Sequence, residues 1–417
     1  MKKIAFPVAV CLLIVNSIVG FLSCRKNTTG RTETYTLYKP ILKAKSEVLA
    51  AINGNAAQPV KSAGKIYIKD NFIYLNEVDK GIHIVNNSNP THPVQVAFLN
   101  IPGNLDIAVK GNTLYADMYG DLLAIDISNP QKVIVTGRLP NFFTERMYAN
   151  NTSVDSNMVA VDWIKKDTTV TIDDSRGICP NCDFFLANSG AVPVSSKSNG
   201  TAGSMAAMVL MNDYLYAVTE RHSLGVVNVS TEASPVFISS QFAGFDLETI
   251  YPFEDKLFLG SATGMFMFDV SNPETPAQLG QFAHGRACDP VVTDGNYAYV
   301  TLHAGTQCGG DVNELNIVDV KDLMNPTLVK TYLLTKPTGL CKDGDLLFVC
   351  DDKSGVRVYN AANPSDLKLL QQIATDEPYD IVAGNKRAIV VAKDGLYQYD
   401  YSDLKNIRQL SFFSINR

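Results

Sequence analysis

The sequence is poor in the side chains that build metal and nucleic-acid sites. It has five histidines and one tryptophan among 417 residues, and its 36 lysines and arginines are outnumbered by 42 aspartates and glutamates. So few histidines disfavour a histidine-rich metal centre, and the slight acidic excess gives no electrostatic footprint for nucleic acid. The chain also lacks a G-x-S-x-G elbow, a P-loop, an H-E-x-x-H motif and a dinucleotide fingerprint. We therefore predict no catalytic residue, no metal and no cofactor.

Helical periodicity is nearly absent. Leu42 to Ile52 is predicted to form one short helix, whereas from Lys65 onward apolar and polar residues alternate in short runs separated by turns. Alternation with a period of two is typical of half-buried β-strands. Because 46% of the residues are hydrophobic, the chain can build a large core. The sequence therefore predicts an all-β protein.

A long hydrophobic run opens the chain. Two lysines precede a mostly apolar stretch, Ile4 to Leu22, which is followed by Ser23 and Cys24. A charged start, a short apolar run and a small residue before cysteine resemble the lipobox of bacterial lipoproteins. The resemblance implies a signal peptide at residues 1–23, lipidation of Cys24 and an outer-membrane lipoprotein of the cell envelope, periplasmic or surface-exposed. An ordinary cleaved signal peptide and a membrane anchor are the alternatives. Residues 24–60 are assigned to a tether and an N-terminal segment.

One block of about ten residues recurs along the chain. Its clearest copy, Asp121 to Pro130, is an alternating apolar strand with a polar Asp126 and a Ser-Asn-Pro end that favours a tight turn. The Asp or Asn of the block recurs at steps of 40, 102, 41, 50, 41 and 40 residues. A period near 40 with about four strands is typical of a β-propeller blade. The sequence therefore predicts a propeller of seven four-stranded blades, with six and eight as alternatives. The seven copies are Asn86, Asp126, Asn228, Asp269, Asp319, Asn360 and Asp400.

The third strand of this repeat resembles the LVIVD repeat. Asn316 to Val320 and Ala124 to Ser128 are close to that pattern. Family members are exported or surface proteins of bacteria with a propeller fold, and the family implies no shared activity. We place the propeller domain at residues 61–417. From the residues alone, the Asp or Asn of the motif is interpreted as a structural group that hydrogen-bonds backbone at the strand end.

Two steps exceed the period. The longer one contains an insertion at residues 141–203, between blades two and three, and the other lengthens a loop of blade five at about His303 to Asn313. Both departures fall on the face that carries the loops between blades. Lengthened loops on a rigid scaffold are where function concentrates. Inside the insertion, Met158 to Trp163 and Thr168 to Ile172 are predicted to pair as a hairpin.

Six cysteines remain outside the signal peptide and the lipidation site. An even number in an exported chain favours disulfides. The C-x-x-C pair at 179 and 182 is interpreted as a local disulfide, with a metal site and a redox pair as alternatives. The predicted pairs are Cys179 with Cys182, Cys288 with Cys308, and Cys341 with Cys350.

Carboxylates are predicted to converge at the mouth of the central channel. Three aspartates share one place in the repeat, beside the first strand of their blades, and two histidines and an arginine lie in neighbouring loops of blade five. Such groups can hold a cation or a sugar; alternatively, they satisfy backbone groups where blades meet. The candidate ligand-binding residues are Asp106, His284, Arg286, Asp289, His303 and Asp380.

The pattern as a whole favours a binding or interaction scaffold. It would be a propeller held at the membrane by a lipid anchor, with an unknown protein or glycan as partner and no nucleic acid. The alternative is a hydrolase or lyase that processes a polysaccharide or peptide at the channel mouth. That alternative depends on fold analogy, because no activated nucleophile or acid–base pair can be named.

Overall fold

A computed structural model describes residues 31–144, 157–172, 201–205, 207–287, 290–305 and 310–415. The signal peptide, Cys24 and most of the insertion lie outside these residues. The chain divides into two compact units. The first comprises residues 1–41 and 162–189, and the second comprises residues 42–161 and 190–417.

Two long strands pair with each other, and most of each strand belongs to the first unit. These are β1 (Arg31–Ala44) and β11 (Met158–Ile172), and the hydroxyls of Thr34 and Thr169 are hydrogen-bonded at 3.0 Å. The predicted hairpin within the insertion is therefore wrong. Its two halves form one continuous strand. The charged residues 165–167 between them are exposed to solvent, so they do not require a turn.

The second unit begins with a short helix, α1 (Lys45–Ala51), inside the range predicted for it. Val48 and Ile52 pack into the apolar core around blades one and two. Lys45 Nζ lies 3.1 Å from Oδ1 of the buried Asp121, which fixes the helix against blade two. The two-residue strand β2 (Gly54–Asn55) follows and pairs with the outermost strand of blade one.

Seven antiparallel four-stranded sheets form the blades, which confirms the predicted fold class and blade count. In each blade the strands follow one another from the inside outwards. Blades one to three are β3–β6 (Ala63–Lys69, Phe72–Glu77, Gly81–Asn86, Val94–Asn100), β7–β10 (Ile107–Lys110, Thr113–Met118, Asp121–Asp126, Ile134–Leu139) and β13–β16 (Met208–Met211, Tyr214–Glu220, Ser223–Asn228, Val236–Phe242). Blades four and five are β17–β20 (Leu247–Phe253, Lys256–Ser261, Gly264–Asp269, Ala277–Ala283) and β21–β24 (Val291–Thr293, Tyr297–Leu302, Glu314–Asp319, Thr327–Leu333). Blades six and seven are β25–β28 (Pro337–Asp343, Leu346–Asp351, Val356–Asn360, Lys368–Ile373) and β29–β32 (Pro378–Gly384, Arg387–Ala392, Gly395–Asp400, Arg408–Ser414), with a 3-10 turn at Asp352–Ser354.

The blades close into a ring around a central channel. The first strand of each blade contacts the first strand of the next, and β29 of blade seven contacts β3 of blade one. At this seam the side-chain amides of Asn87 and Gln398 exchange hydrogen bonds of 3.0 and 2.8 Å. The Tyr379 hydroxyl donates to the carbonyl of Gly64 at 2.8 Å. Every blade is built from consecutive strands, so the ring closes without exchange of a strand between the termini.

Neighbouring blades are also joined through tyrosines of their second strands. Tyr115 donates its hydroxyl proton to the carbonyl of Glu232 at 2.9 Å, and Tyr216 donates to the carbonyl of Pro273 at 3.0 Å. The acceptors lie in the turns that follow the third strands of the next blades. These turns therefore hold blades together as well as ending strands.

The outer edge of each blade carries the same irregularity. All seven pairings between third and fourth strands contain a β-bulge. A bulge twists an exposed edge and discourages pairing with another chain.

We use the name loop face for the side of the propeller that carries the loops between blades and the loops between second and third strands.

Candidate functional site

The strand register identifies equivalent residues at the inner side of the blades. In each blade, one residue of the first strand lies opposite the fourth residue of the second strand. The residue that precedes this first-strand residue occupies an equivalent place in every blade. It is Lys65 in blade one, Asp106 in blade two, Pro290 in blade five and Asp380 in blade seven. The predicted alignment of Asp289 with the other two aspartates is therefore one position out of register. Asp289 itself lies outside the described residues.

A buried ion pair joins blades one and two at this level. Lys65 Nζ lies 2.7 Å from Asp106 Oδ2, and the two side chains are 1% and 0% exposed. The same carboxylate oxygen accepts the backbone N–H of Ala207, the residue before the first strand of blade three, at 3.2 Å. Its other oxygen accepts the N–H of Ile107 at 2.7 Å. A buried carboxylate requires such partners because an unpaired charge in the interior is strongly unfavourable. Asp106 thus links blades one and two to the segment that leads into blade three.

The chain itself enters the central channel after the insertion. The short strand β12 (Thr201–Ala202) adds to the inner edge of β3, with Thr201 opposite Ile68 and Ala202 opposite Tyr67. Because β3 is the innermost strand of its blade, β12 lies in the channel. The buried Ser204 follows, and its Oγ accepts the N–H of Leu340, on the first strand of blade six, at 2.8 Å.

Gly203 fits directly against Asp380. A Cβ atom added to Gly203 would lie 1.6 Å from Asp380 Oδ2, so only glycine allows the backbone to approach this carboxylate. Asp380 is fully buried, and its Oδ1 accepts the N–H of Ile381 at 3.0 Å. We name residues 201–207, of which residue 206 is not described, the channel segment. It contacts blades one, two, six and seven before the chain continues into blade three.

The other predicted site residues lie in loops of blade five. Arg286 is exposed and forms an ion pair of 2.9 Å with Asp246, which also pairs with Arg221 at 3.1 Å. His284 is half-buried, and its Nδ1 lies 2.7 Å from the carbonyl oxygen of Gly285. These side chains are thus engaged with neighbouring loop residues.

His303 has a different environment. Its Nδ1 is buried without a hydrogen-bond partner in the described part of the chain. Burial, and secondarily the charge of Lys336, lowers the pKa of His303 to about 4. The imidazole is therefore neutral at pH 7, which leaves no positive charge at this position.

An aromatic groove on the loop face of blade four was missed by the sequence analysis. It has a volume of about 420 Å³ and is lined by four phenylalanines and two glutamines. The ring centroids of Phe242 and Phe245 are 5.0 Å apart in an edge-to-face arrangement. These side chains are 56% and 69% exposed. The available signal was the Phe-Ala-Gly-Phe run at 242–245, which places two aromatic residues at a strand end and in the following loop. The phenylalanines and glutamines are Phe242, Phe245, Phe266, Phe282, Gln278 and Gln281.

No group of three or more His, Cys, Asp or Glu side chains in the described ranges is placed to hold a metal ion. In those ranges no helix combines the length and hydrophobicity needed to cross a bilayer.

Comparison with protein families decides the repeat type. The LVIVD repeat model matches residues 61–99, 104–139 and 284–334, which contain blades one, two and five. The seven-bladed fold and the common register of all seven third strands extend this pattern to the other blades. The chain therefore contains LVIVD repeats, and the seven-bladed fold supports the LVIVD β-propeller family. A search among curated proteins finds no match.

Solved structures resemble this LVIVD-repeat protein in fold only. The computationally designed Ika8 protein is 9% identical, with a TM-score of 0.52 over 87% of this chain and 92% of that one. BamB from Moraxella catarrhalis is 8% identical, with a TM-score of 0.49 over 87% and 97% of the two chains. The periplasmic gluconolactonase PpgL of Pseudomonas aeruginosa is 11% identical, with a TM-score of 0.49 over 85% and 96%.

The Asp or Asn of the LVIVD motif forms the same side-chain turn in each blade. In all seven copies the Oδ1 atom of the motif Asp or Asn accepts the backbone N–H two residues further on. In blade two the N–H of Ser128 donates to Asp126 at 2.8 Å and lowers the pKa of that carboxyl. This confirms the structural interpretation of the motif residues.

The LVIVD blades do not support a bridge between Cys341 and Cys350. Both are buried thiols, and the register places Cys341 opposite Phe348, two residues away from Cys350. Diagonal neighbours on paired strands have Cα atoms about 7–8 Å apart, which exceeds the usual span of a disulfide. Burial, and then the charge of Asp380, raises the pKa of the Cys350 thiol. Four further cysteines fall outside the described residues: Cys179, Cys182, Cys288 and Cys308.

Proposed function

We propose that this LVIVD-repeat protein is a non-catalytic binding scaffold of the cell envelope. A lipid on Cys24 tethers it to the outer membrane, and the loop face of the propeller presents the binding surface to a protein or glycan. The propeller fold supplies a rigid platform, and its variable loops supply the contacts.

The occupied channel is the observation that carries this proposal. An enzyme working at the channel mouth needs its carboxylates within reach of a substrate. Asp106 is instead paired with Lys65 and Ala207, and Gly203 lies against Asp380. Exposed aromatic side chains are found on the loop face, where a partner can reach them. A surface patch of this kind is typical of binding sites.

The tether and the binding role can be tested together with the full chain and its Cys24→Ser variant, both expressed in a bacterial host. During growth with radiolabelled palmitate, the wild-type protein is expected to become labelled. The Cys24→Ser variant is expected to stay unlabelled, because serine replaces the thiol that carries the acyl chain. On a glycan array and against purified envelope proteins, both forms are expected to show the same binding profile, with no new reducing ends or peptide fragments released.

Two results would contradict the proposal. An unlabelled wild-type protein, or equal labelling of the wild type and the variant, would rule out a lipid on Cys24. Turnover of a bound polysaccharide or peptide by the purified protein would replace the scaffold with the hydrolase alternative.

A further inference from the structure

The groove on blade four is preformed. Gly244, in the loop between β16 and β17, has a φ of +144°, and a Cβ atom there would lie 2.6 Å from the Phe266 ring. Glycine at this position lets the loop lie flat on that ring. Asp246, two residues later, is fixed by ion pairs with Arg221 and Arg286. The loop that carries Phe245 is therefore fixed at both ends before any ligand arrives.

The lining of the groove carries no charge. Its ten residues are phenylalanine, glycine, glutamine, threonine and alanine. Arg221 and Arg286 both form ion pairs with Asp246, and none of these three side chains lines the groove. An ionic ligand would thus find no counter-charge in the lining itself, whereas an uncharged ligand matches it.

Hydrogen-bonding groups stand beside the rings. Gln278 and Gln281 are exposed on β20, and neither side-chain amide makes a hydrogen bond within the described part of the protein. Each amide offers two donors and an acceptor. Exposed aromatic rings flanked by side-chain amides suit a ligand that presents both C–H faces and hydroxyl groups.

We propose that this groove binds a neutral glycan chain, an inference that rests on the binding function proposed above. The sugar rings stack on Phe242 and Phe245, and their hydroxyls bond to Gln278 and Gln281. A peptide anchored by a large apolar side chain would require a pocket that encloses the side chain. The exposed rings form an open groove instead, which favours a chain of sugars lying along the surface.

Isothermal titration calorimetry of the full chain in detergent tests the proposal. The probes are hexasaccharides of glucose, mannose and xylose, with an oligogalacturonate of the same length as the acidic comparison. At least one neutral hexasaccharide is expected to bind, and the acidic one is not. Phe245→Ala is expected to weaken binding at least about tenfold, because the exposed ring provides a central contact. Gln281→Ala is expected to weaken it by about three- to tenfold through the loss of one or two hydrogen bonds.

Phe412→Ala is the matched control, because Phe412 is an exposed phenylalanine of the outermost strand of blade seven, 43% accessible. It is expected to bind like the wild type. Equal binding by wild type and Phe245→Ala would overturn the groove assignment and leave the scaffold function standing. Binding of only the acidic oligosaccharide, or of only an envelope protein, would contradict the proposal of a neutral glycan ligand. The proposed scaffold function would still stand. Absence of every glycan and protein partner would overturn both proposals.

Discussion

Replacing Asp106 with alanine is expected to lower the free energy of unfolding by about 3–5 kcal/mol. The substitution takes the Asp106 carboxylate away from the buried ammonium group of Lys65, and it removes the acceptor of the Ala207 N–H. Both losses occur where blades one and two meet the segment that leads into blade three. Urea unfolding of the full chain, followed by circular dichroism, measures the effect.

Two further variants test whether the loss comes from separating the buried Lys65 charge from Asp106. Asp366→Ala removes an exposed aspartate and is expected to change stability by less than about 0.5 kcal/mol. The double variant Lys65→Met/Asp106→Leu removes both charges and is expected to regain much of the stability lost in Asp106→Ala. If the Asp106→Ala protein were as stable as the wild type, the Lys65–Asp106 ion pair would not stabilise the contact between blades.

Gly203→Val is expected to destabilise the protein by about 3 kcal/mol, the upper end of the range for overpacking. The new side chain would overlap the Asp380 carboxylate, and the surrounding inner strands leave it no room to move. The channel segment must then shift, and Ser204 loses its bond from Leu340. Hydrogen exchange is expected to rise at the amide of Leu340 and along residues 203–207.

Gly285→Val is the matched control, because a Cβ atom at Gly285 meets nothing within 4 Å. It is expected to leave both stability and hydrogen exchange unchanged. Equal behaviour of the two valine variants would mean that Gly203 does not lie against Asp380.

The sequence predicts the blades because their signals are local. Alternation, turn residues and the Asp or Asn of each repeat act within about ten residues, so the spacing of Asp126 and its six equivalents determines the blade count. The turn geometry of these residues follows for the same reason, since each side chain bonds a backbone N–H only two residues away.

The pairing partners of strands are not local, and there the predictions were wrong or incomplete. Residues 158–172 alternate like two short strands, but which strand they join depends on residues more than a hundred positions earlier. A bridge between Cys341 and Cys350 requires these two residues to lie opposite each other on paired strands. The observed register instead places Cys341 opposite Phe348, and closeness in sequence does not determine this register. The channel in the structure differs from the predicted candidate site for the same reason. The two-residue strand β12 is too short to show a hydrophobic pattern, so nothing in the sequence places Gly203 beside Asp380.

The occupied channel is most directly tested by a cross-link between β3 and β12. Directly opposed residues on antiparallel strands have Cα atoms about 4.5–5.5 Å apart, within the range of a disulfide. The pair Ile68→Cys and Thr201→Cys is opposed in this way. After mild oxidation of the folded protein, a non-reducing peptide map is expected to contain the peptide that joins positions 68 and 201, and single variants are expected to lack it. Oxidation that leaves the two cysteines unlinked to each other in the folded protein would place the channel segment elsewhere and reopen the channel to a ligand.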